Sequence, residues 1–160
     1  MTSKKKNTIK EKRSTVIENR KARYDYFIED SITCGMVLTG TEVKSIRTGQ
    51  AQLKDSFAKI EKGEAWLYNC HISPYKFGNR FNHSPLRKRK LLLHKKELLK
   101  LYGKIKEKNY ALIPLKIFFS HNFAKLELGL AKGKKTYDKR ETIKKKELQR
   151  AIKEVKSKYT

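Results

Sequence analysis

Acidic residues are scarce in this chain: 16 Asp and Glu stand against 40 Lys and Arg in 160 residues, a formal net charge of +24. That imbalance exceeds what solubility asks of a small domain and implies a polyanionic partner. Cysteine is scarce too. Cys34 and Cys70 are too few for a disulfide framework and are expected as reduced thiols of a cytoplasmic protein. No stretch approaches the roughly 20 apolar residues of a membrane-crossing helix, and no apolar signal core opens the chain, so nucleic acid fits the charge better than a membrane does.

The motifs of catalysis are also missing. His71, His83, His94 and His121 show no H-E-x-x-H pattern, the cysteines form no C-x-x-C, and neither G-x-S-x-G nor a phosphate-cradling glycine loop is present. Neighbours on a strand point to opposite faces, so Cys70 and His71 make a poor metal pair. Glu61 and Glu64 flank a turn, where solvated carboxylates are expected. The sequence therefore predicts no enzyme, no metal, no cofactor and no small-molecule substrate.

What is present is unevenly spread. Residues 1–23 carry a net charge of +7 and residues 132–160 one of +8, while every aromatic except Tyr137 and Tyr159 lies between them. This predicts a basic N-terminal arm over 1–18, one compact domain over 19–135 and a basic C-terminal tail over 136–160. The arms have almost nothing to bury and are expected to be disordered when free.

The middle reads as mainly β with some α. Tyr24, Tyr26 and Ile28 alternate with polar or outward positions. Segments 56–60 and 65–72 flank a turn at Glu61-Lys62-Gly63-Glu64, and segments 111–119 and 123–131 flank Ser120-His121-Asn122, giving two predicted hairpins. Leu126, Leu128 and Leu130 alternate with Lys125, Glu127 and Gly129. Helices are predicted from Thr41 to Arg47, stopped by Gly49, and from Lys95 to about Lys108, with Leu98, Leu101, Tyr102 and Ile105 on one face and Asn109 at its end. Short strands with peripheral helices suggest a small oligonucleotide-binding type of β-barrel, which binds RNA loops through basic surfaces and aromatic faces. Tyr24, Tyr75, Phe77 and Phe81, beside Lys76 and Arg80, supply both, although aromatics at strand spacing more often belong to a core.

Several words in the chain are more specific. Asn19-Arg20-Lys21-Ala22-Arg23-Tyr24-Asp25-Tyr26-Phe27-Ile28-Glu29, Gly40-Thr41-Glu42-Val43-Lys44-Ser45-Ile46-Arg47, Gly78-Asn79-Arg80, Arg89-Lys90-Leu91-Leu92-Leu93-His94, Ala131-Lys132-Gly133-Lys134-Lys135 and Asp138-Lys139-Arg140 follow one another in order. Together they resemble the SsrA-binding protein (small protein B) family, over nearly everything from Asn19 to about Arg150. The resemblance implies a barrel that grips the transfer-RNA-like part of transfer-messenger RNA. It also implies a tail that enters the empty messenger channel of a stalled ribosome, near the decoding site of the small-subunit RNA, and folds there as a helix. The outcome implied is trans-translation, in which the stalled chain receives a degradation tag.

The same words nominate residues. Asn19, Arg20, Lys21 and Arg23 sit where the arm meets the barrel, where cations neutralise phosphate and an amide both donates and accepts. Lys132, Lys134 and Lys135 surround Gly133, which admits close backbone approach. Glu42 and Lys44 on the first helix, and Leu92, Leu93 and His94 before the second, match family words and are further RNA-facing candidates, with Leu92 or Leu93 equally suited to the core. Some relatives carry an acidic residue where this chain has Thr33, so no contact of a carboxylate carries over there.

In the tail, Asp138, Lys139 and Arg140 are followed by Leu148, Ile152 and Val155 at helical spacing amid lysines. Dense like charge leaves little to offset helix nucleation, so order is expected only against phosphate. A general RNA-binding or ribosomal structural protein would share the charge and the arms, and is the main rival reading.

Overall fold

The structure, a computed structural model, describes residues 15–78 and 81–158. Lys4, Lys5 and Lys6 of the predicted arm, and Asn79 and Arg80, lie outside the described residues. The elements run β1 (Ile17–Glu18), α1 (Ala22–Asp25), β2 (Tyr26–Met36), α2 (Gly40–Arg47), β3 (Ala51–Gln52), β4 (Phe57–Glu61), β5 (Glu64–Tyr68) and β6 (His71–Ile72). They continue as β7 (Arg89–Leu92), α3 (Lys95–Lys108), β8 (Ala111–Ser120), β9 (Phe123–Gly133) and α4 (Thr136–Lys158).

The expected small barrel is what the strands form. Antiparallel pairing runs β8-β4-β5-β7-β2-β9 and returns from β9 to β8, closing a ring, with β1 added beside β4 on the outer edge of β8. Closure removes the unpaired strand edges that would otherwise invite association. The two long strands bend to make it. Irregularities fall between Ile28 and Asp30 in β2 and between Pro114 and Lys116 in β8, and a bulge is where a strand tolerates a proline that cannot donate.

Alternation sorts the side chains. Leu67, Leu91, Leu112, Ile117, Leu126, Leu128 and Leu130 are buried inside the ring with Ile46 of α2 and Leu98 and Leu101 of α3. Burying each such side chain contributes about 1.5–3 kcal/mol. A second, smaller cluster lies on the outer side of β8 and β9, where Ala22 packs on Ile113, Leu115 and Ala131. That cluster seats α1 on the barrel wall.

Local chemistry sets the boundaries. Both hairpins turn on two residues of positive φ, Lys62 and Gly63 (48° and 76°) and His121 and Asn122 (48° and 66°), the backbone that matches strand twist. The Thr39 N–H donates to Glu42 Oε2 at 2.9 Å to start α2, and Asn109, at φ 54°, ends α3.

Two expectations are corrected. Tyr24 is helical rather than the first residue of a strand, because the Ala22 and Asp25 N–H groups donate to Asn19 O and Lys21 O and burial of Ala22 rewards that turn. The run 65–72 is two strands, broken at Asn69 with φ 57°. The tail takes the helical form expected of it on a partner, over 23 residues, and its first turns are tied to the barrel by contacts that no local pattern announces.

Candidate nucleic-acid interface

Basic side chains from three elements meet where β2 begins and β9 ends, since Tyr26 pairs with Gly133 there. Asn19 prepares the corner. Its side-chain N–H₂ donates to Pro114 O at 2.9 Å and Leu53 O at 3.2 Å, and its main-chain N–H donates to Leu115 O at 2.7 Å. The side-chain amide donor is therefore spent inside the fold, which corrects its expected role as a donor to RNA. Asn19 instead fixes the start of α1, from which Arg20, Lys21 and Arg23 project exposed.

Asp25 organises the cations around it. Its carboxylate lies 3.9 Å from Lys21 Nζ and 3.3 Å from Lys139 Nζ, and its carbonyl accepts the Lys134 N–H at 2.9 Å. Lys134 reaches across: its ammonium donates to Arg23 O at 3.0 Å and Thr142 Oγ1 at 2.9 Å, and sits 4.8 Å from the Phe27 ring centre. Lys139 stands 5.9 Å over the Tyr24 ring. Asp138 Oδ2 accepts the Lys135 N–H at 3.2 Å at the start of α4, where a carboxylate also suits the helix dipole. Lys134 and Lys139 thus hold α4 to α1, while Arg20, Arg23, Lys132, Lys135 and Arg140 are exposed. A shallow cavity of about 250 Å³ lies at the foot of this surface, lined by Glu18, Asn19, Arg20, Arg23, Lys116 and Glu127. Beyond its first turns α4 is exposed over 144–158, with Leu148, Ile152 and Val155 open to solvent.

The other nominated residues lie at the opposite end of the barrel, where β2 leaves for α2. Glu42 is not on the surface, a correction to its place among the RNA-facing candidates. It is fully buried, accepts from Arg89 Nε at 2.8 Å and from Arg87 at 2.7 Å and 3.2 Å, and a charge taken out of water needs such partners. Burial alone would raise its carboxyl, but the Arg87 hydrogen bond, the Thr39 N–H and Arg89 together hold it below the ordinary carboxylate range. Arg89 completes its own bonding on Cys70 O and Pro85 O.

Lys44 is exposed, with its ammonium 5.4 Å over the Tyr75 ring. Leu92 is half exposed against Gly35, Leu93 packs on the core, and the His94 N–H donates to Glu97 Oε2 at 2.9 Å at the head of α3. A broad cleft of about 710 Å³ opens between Thr33, Leu92, His94 and Lys125.

Sequence reasoning missed Asp25, Thr142, Arg87 and Arg89. Only Asp25 carried a signal, its i,i+4 spacing from Lys21. Cys34 and Cys70 are free and buried, and burial pushes their thiols up to about 12 and about 11, which leaves them protonated and unreactive at neutral pH. Among the described residues no helix is long and apolar enough to cross a membrane.

Comparison with known proteins agrees with this geometry. The sequence model of the family described as "SmpB protein" matches residues 16–158. The chain is 62% identical over 137 residues to the SsrA-binding protein of Geobacillus thermodenitrificans (strain NG80-2), covering 86% of this chain and 88% of that relative. It is 60% identical over 135 residues to the SsrA-binding protein of Bacillus subtilis (strain 168), covering 84% and 86%. It is also similar to a chain of the solved structure "tmRNA-SmpB: a journey to the center of the bacterial ribosome", with a TM-score of 0.65 and 51% identity over 76% of this chain and 86% of that one. With this fold, this basic corner and matches of that extent, the chain belongs to the SmpB protein family.

Proposed function

We propose that this protein is a non-catalytic RNA-binding adapter that binds the transfer-RNA-like domain of transfer-messenger RNA and delivers it to stalled ribosomes for trans-translation. The observation that carries the proposal is the convergence of α1, the end of β9 and the start of α4, where Lys21 and Lys139 pair with Asp25, Lys134 bridges Arg23 and Thr142, and Arg20, Arg23, Lys132 and Lys135 stand exposed. The relatives are SsrA-binding proteins and the similar solved structure is one of tmRNA-SmpB, and both support the same partner.

The chemistry is positional. Arg20, Lys21 and Arg23 neutralise phosphates, Lys132 and Lys135 extend the surface, and Lys44, Leu92 and His94 shape a second RNA-facing edge. Asp138, Lys139 and Arg140 mark where the tail leaves the barrel for the decoding site. From there α4 spans about 35 Å at the rise of an α-helix, long enough to follow the messenger channel, with Leu148, Ile152 and Val155 as its apolar seat. The ribosome and its RNA supply the reactions; the adapter works in the cytoplasm and supplies recognition and reach.

Titrations of transfer-messenger RNA and an unrelated structured RNA of equal length, at several salt concentrations, test the proposal. With about six phosphates engaged, the log–log salt slope is expected near −4, at roughly −0.7 per contact. Affinity is expected to favour transfer-messenger RNA; equal affinity for both RNAs would replace the adapter with a general RNA-binding protein.

A further inference from the structure

The loop between β6 and β7 lies outside the α1–α4 corner, yet its described residues are closely braced. Tyr75 and Phe77 meet edge to face with ring centres 5.8 Å apart; Lys44 Nζ lies 5.4 Å over Tyr75 and Lys76 Nζ lies 6.0 Å from the Phe77 ring centre. Phe77 is nevertheless 78% exposed, and Phe81 is 83% exposed. Burial of either phenylalanine would have contributed about 1.5–3 kcal/mol, which the fold forgoes.

The loop is braced in this outward form. Asn82 clasps Tyr75, accepting its N–H at 3.2 Å and donating to its carbonyl at 2.9 Å. The His83 ring bridges Ile72 O at 2.8 Å and Thr41 Oγ1 at 2.9 Å, pinning the loop to β6 and α2. A β-carbon at Gly78 would come within 2.6 Å of Asn82 Nδ2 and 3.0 Å of Tyr75 O, so a larger residue there would push the Asn82 amide off its clasp on Tyr75. The buried Glu42 carboxylate holds Arg87 at the exit of the loop, 2.7 Å away.

We propose that the open ring of Phe77, backed by Tyr75, is a base-stacking platform for unpaired RNA nucleotides, a second RNA contact at the end of the barrel opposite the α1–α4 corner. An exposed aromatic face accepts any base, and ammonium groups beside it meet the phosphates that such a base carries. Lys44 and Lys76 are that pair of cations, while Phe77 offers the open ring. A purely apolar protein partner would leave both lysines desolvated without a counter-charge, which is why the occupant is RNA. The inference rests on the adapter reading for RNA as the partner, but not on which RNA is bound.

The test uses the full chain carrying Trp66→Phe and Phe77→Trp, so that the single indole reports on the loop. The probes are a 12-nucleotide oligoadenylate and an abasic oligoribonucleotide of equal length. Saturable quenching by oligoadenylate but not by the abasic strand is expected. In the otherwise unchanged protein, Phe77→Ala is expected to weaken oligoadenylate binding about fivefold or more, with abasic binding unaltered, and Phe123→Ala on the far hairpin is expected to change neither. Equal quenching by both strands, no quenching, or unchanged oligoadenylate affinity in Phe77→Ala would each overturn the platform. Failure of the adapter reading would appear separately, as loss of the unmodified protein's preference for transfer-messenger RNA.

Discussion

Arg89 Nε donates to Glu42 Oε1 at 2.8 Å with both side chains wholly withdrawn from solvent, so an ion pair inside the barrel joins α2 to β7. Removing one partner of such a pair strands the other, at a cost of about 3–5 kcal/mol. Glu42→Ala is therefore expected to lower stability by about that amount in urea unfolding. The carboxyl sits below its ordinary value near 4.5 in the fold, so its contribution is complete above that value and is lost as pH falls through the folded value. The parent protein is expected to show this loss of stability below about pH 4.5, and Glu42→Ala to show a flatter acid limb.

Arg20, Lys21 and Arg23 are exposed at the start of α1, and their loss leaves no buried group unpaired. The triple alanine variant is expected to melt close to the parent. Its affinity for transfer-messenger RNA is expected to fall, with a salt slope shallower by about 2, at roughly 0.7 for each lost phosphate contact. Unchanged affinity and slope would place the RNA surface elsewhere on the barrel.

Asp25 ties the tail to the barrel through Lys139 at 3.3 Å. Asp25→Asn removes that charge and the Lys21 pair while keeping the main-chain bond to Lys134. Hydrogen exchange over the first two turns of α4 is expected to quicken by a factor of about 2 to 5, the size of a partly exposed ion pair of up to about 1 kcal/mol, with protection of Leu126, Leu128 and Leu130 unaltered. Equal exchange would mean that Lys134 and Thr142 alone hold the helix.

Patterns of period two carried much of the fold. Leu126, Leu128 and Leu130 read as a core strand and are one, and the turns at Lys62-Gly63 and His121-Asn122 lie where short polar linkers between apolar runs put them. The helix limits at Arg47 and Lys108 were legible from Gly49 and Asn109, which adopt the left-handed backbone. Arg87-Lys88-Arg89-Lys90 gave no warning. Its charges look solvated, and only the pairing of β7 between β5 and β2 turns Arg89 inward to Glu42. Tyr24 misled for a similar reason, since burial of Ala22 on β8 outweighed the strand preference of its neighbours. The basic corner was legible as separate words, whereas Asp25 at its centre depends on contacts between residues more than 100 positions apart.

Peptide tagging in a reconstituted translation reaction separates RNA delivery from the action of the tail, with a messenger that lacks a stop codon, charged transfer-messenger RNA, and one of three additions: the full chain, a chain ending at Tyr137, or buffer. The truncated chain keeps the barrel, Arg20, Lys21, Arg23, Lys132 and Lys135 but loses the Asp25–Lys139 tie and the 35 Å or so of α4. Tagged product is expected with the full chain alone, while the truncated chain still binds transfer-messenger RNA within about tenfold of the parent. Tagging of equal yield in all three reactions, or none with the full chain, would contradict the adapter.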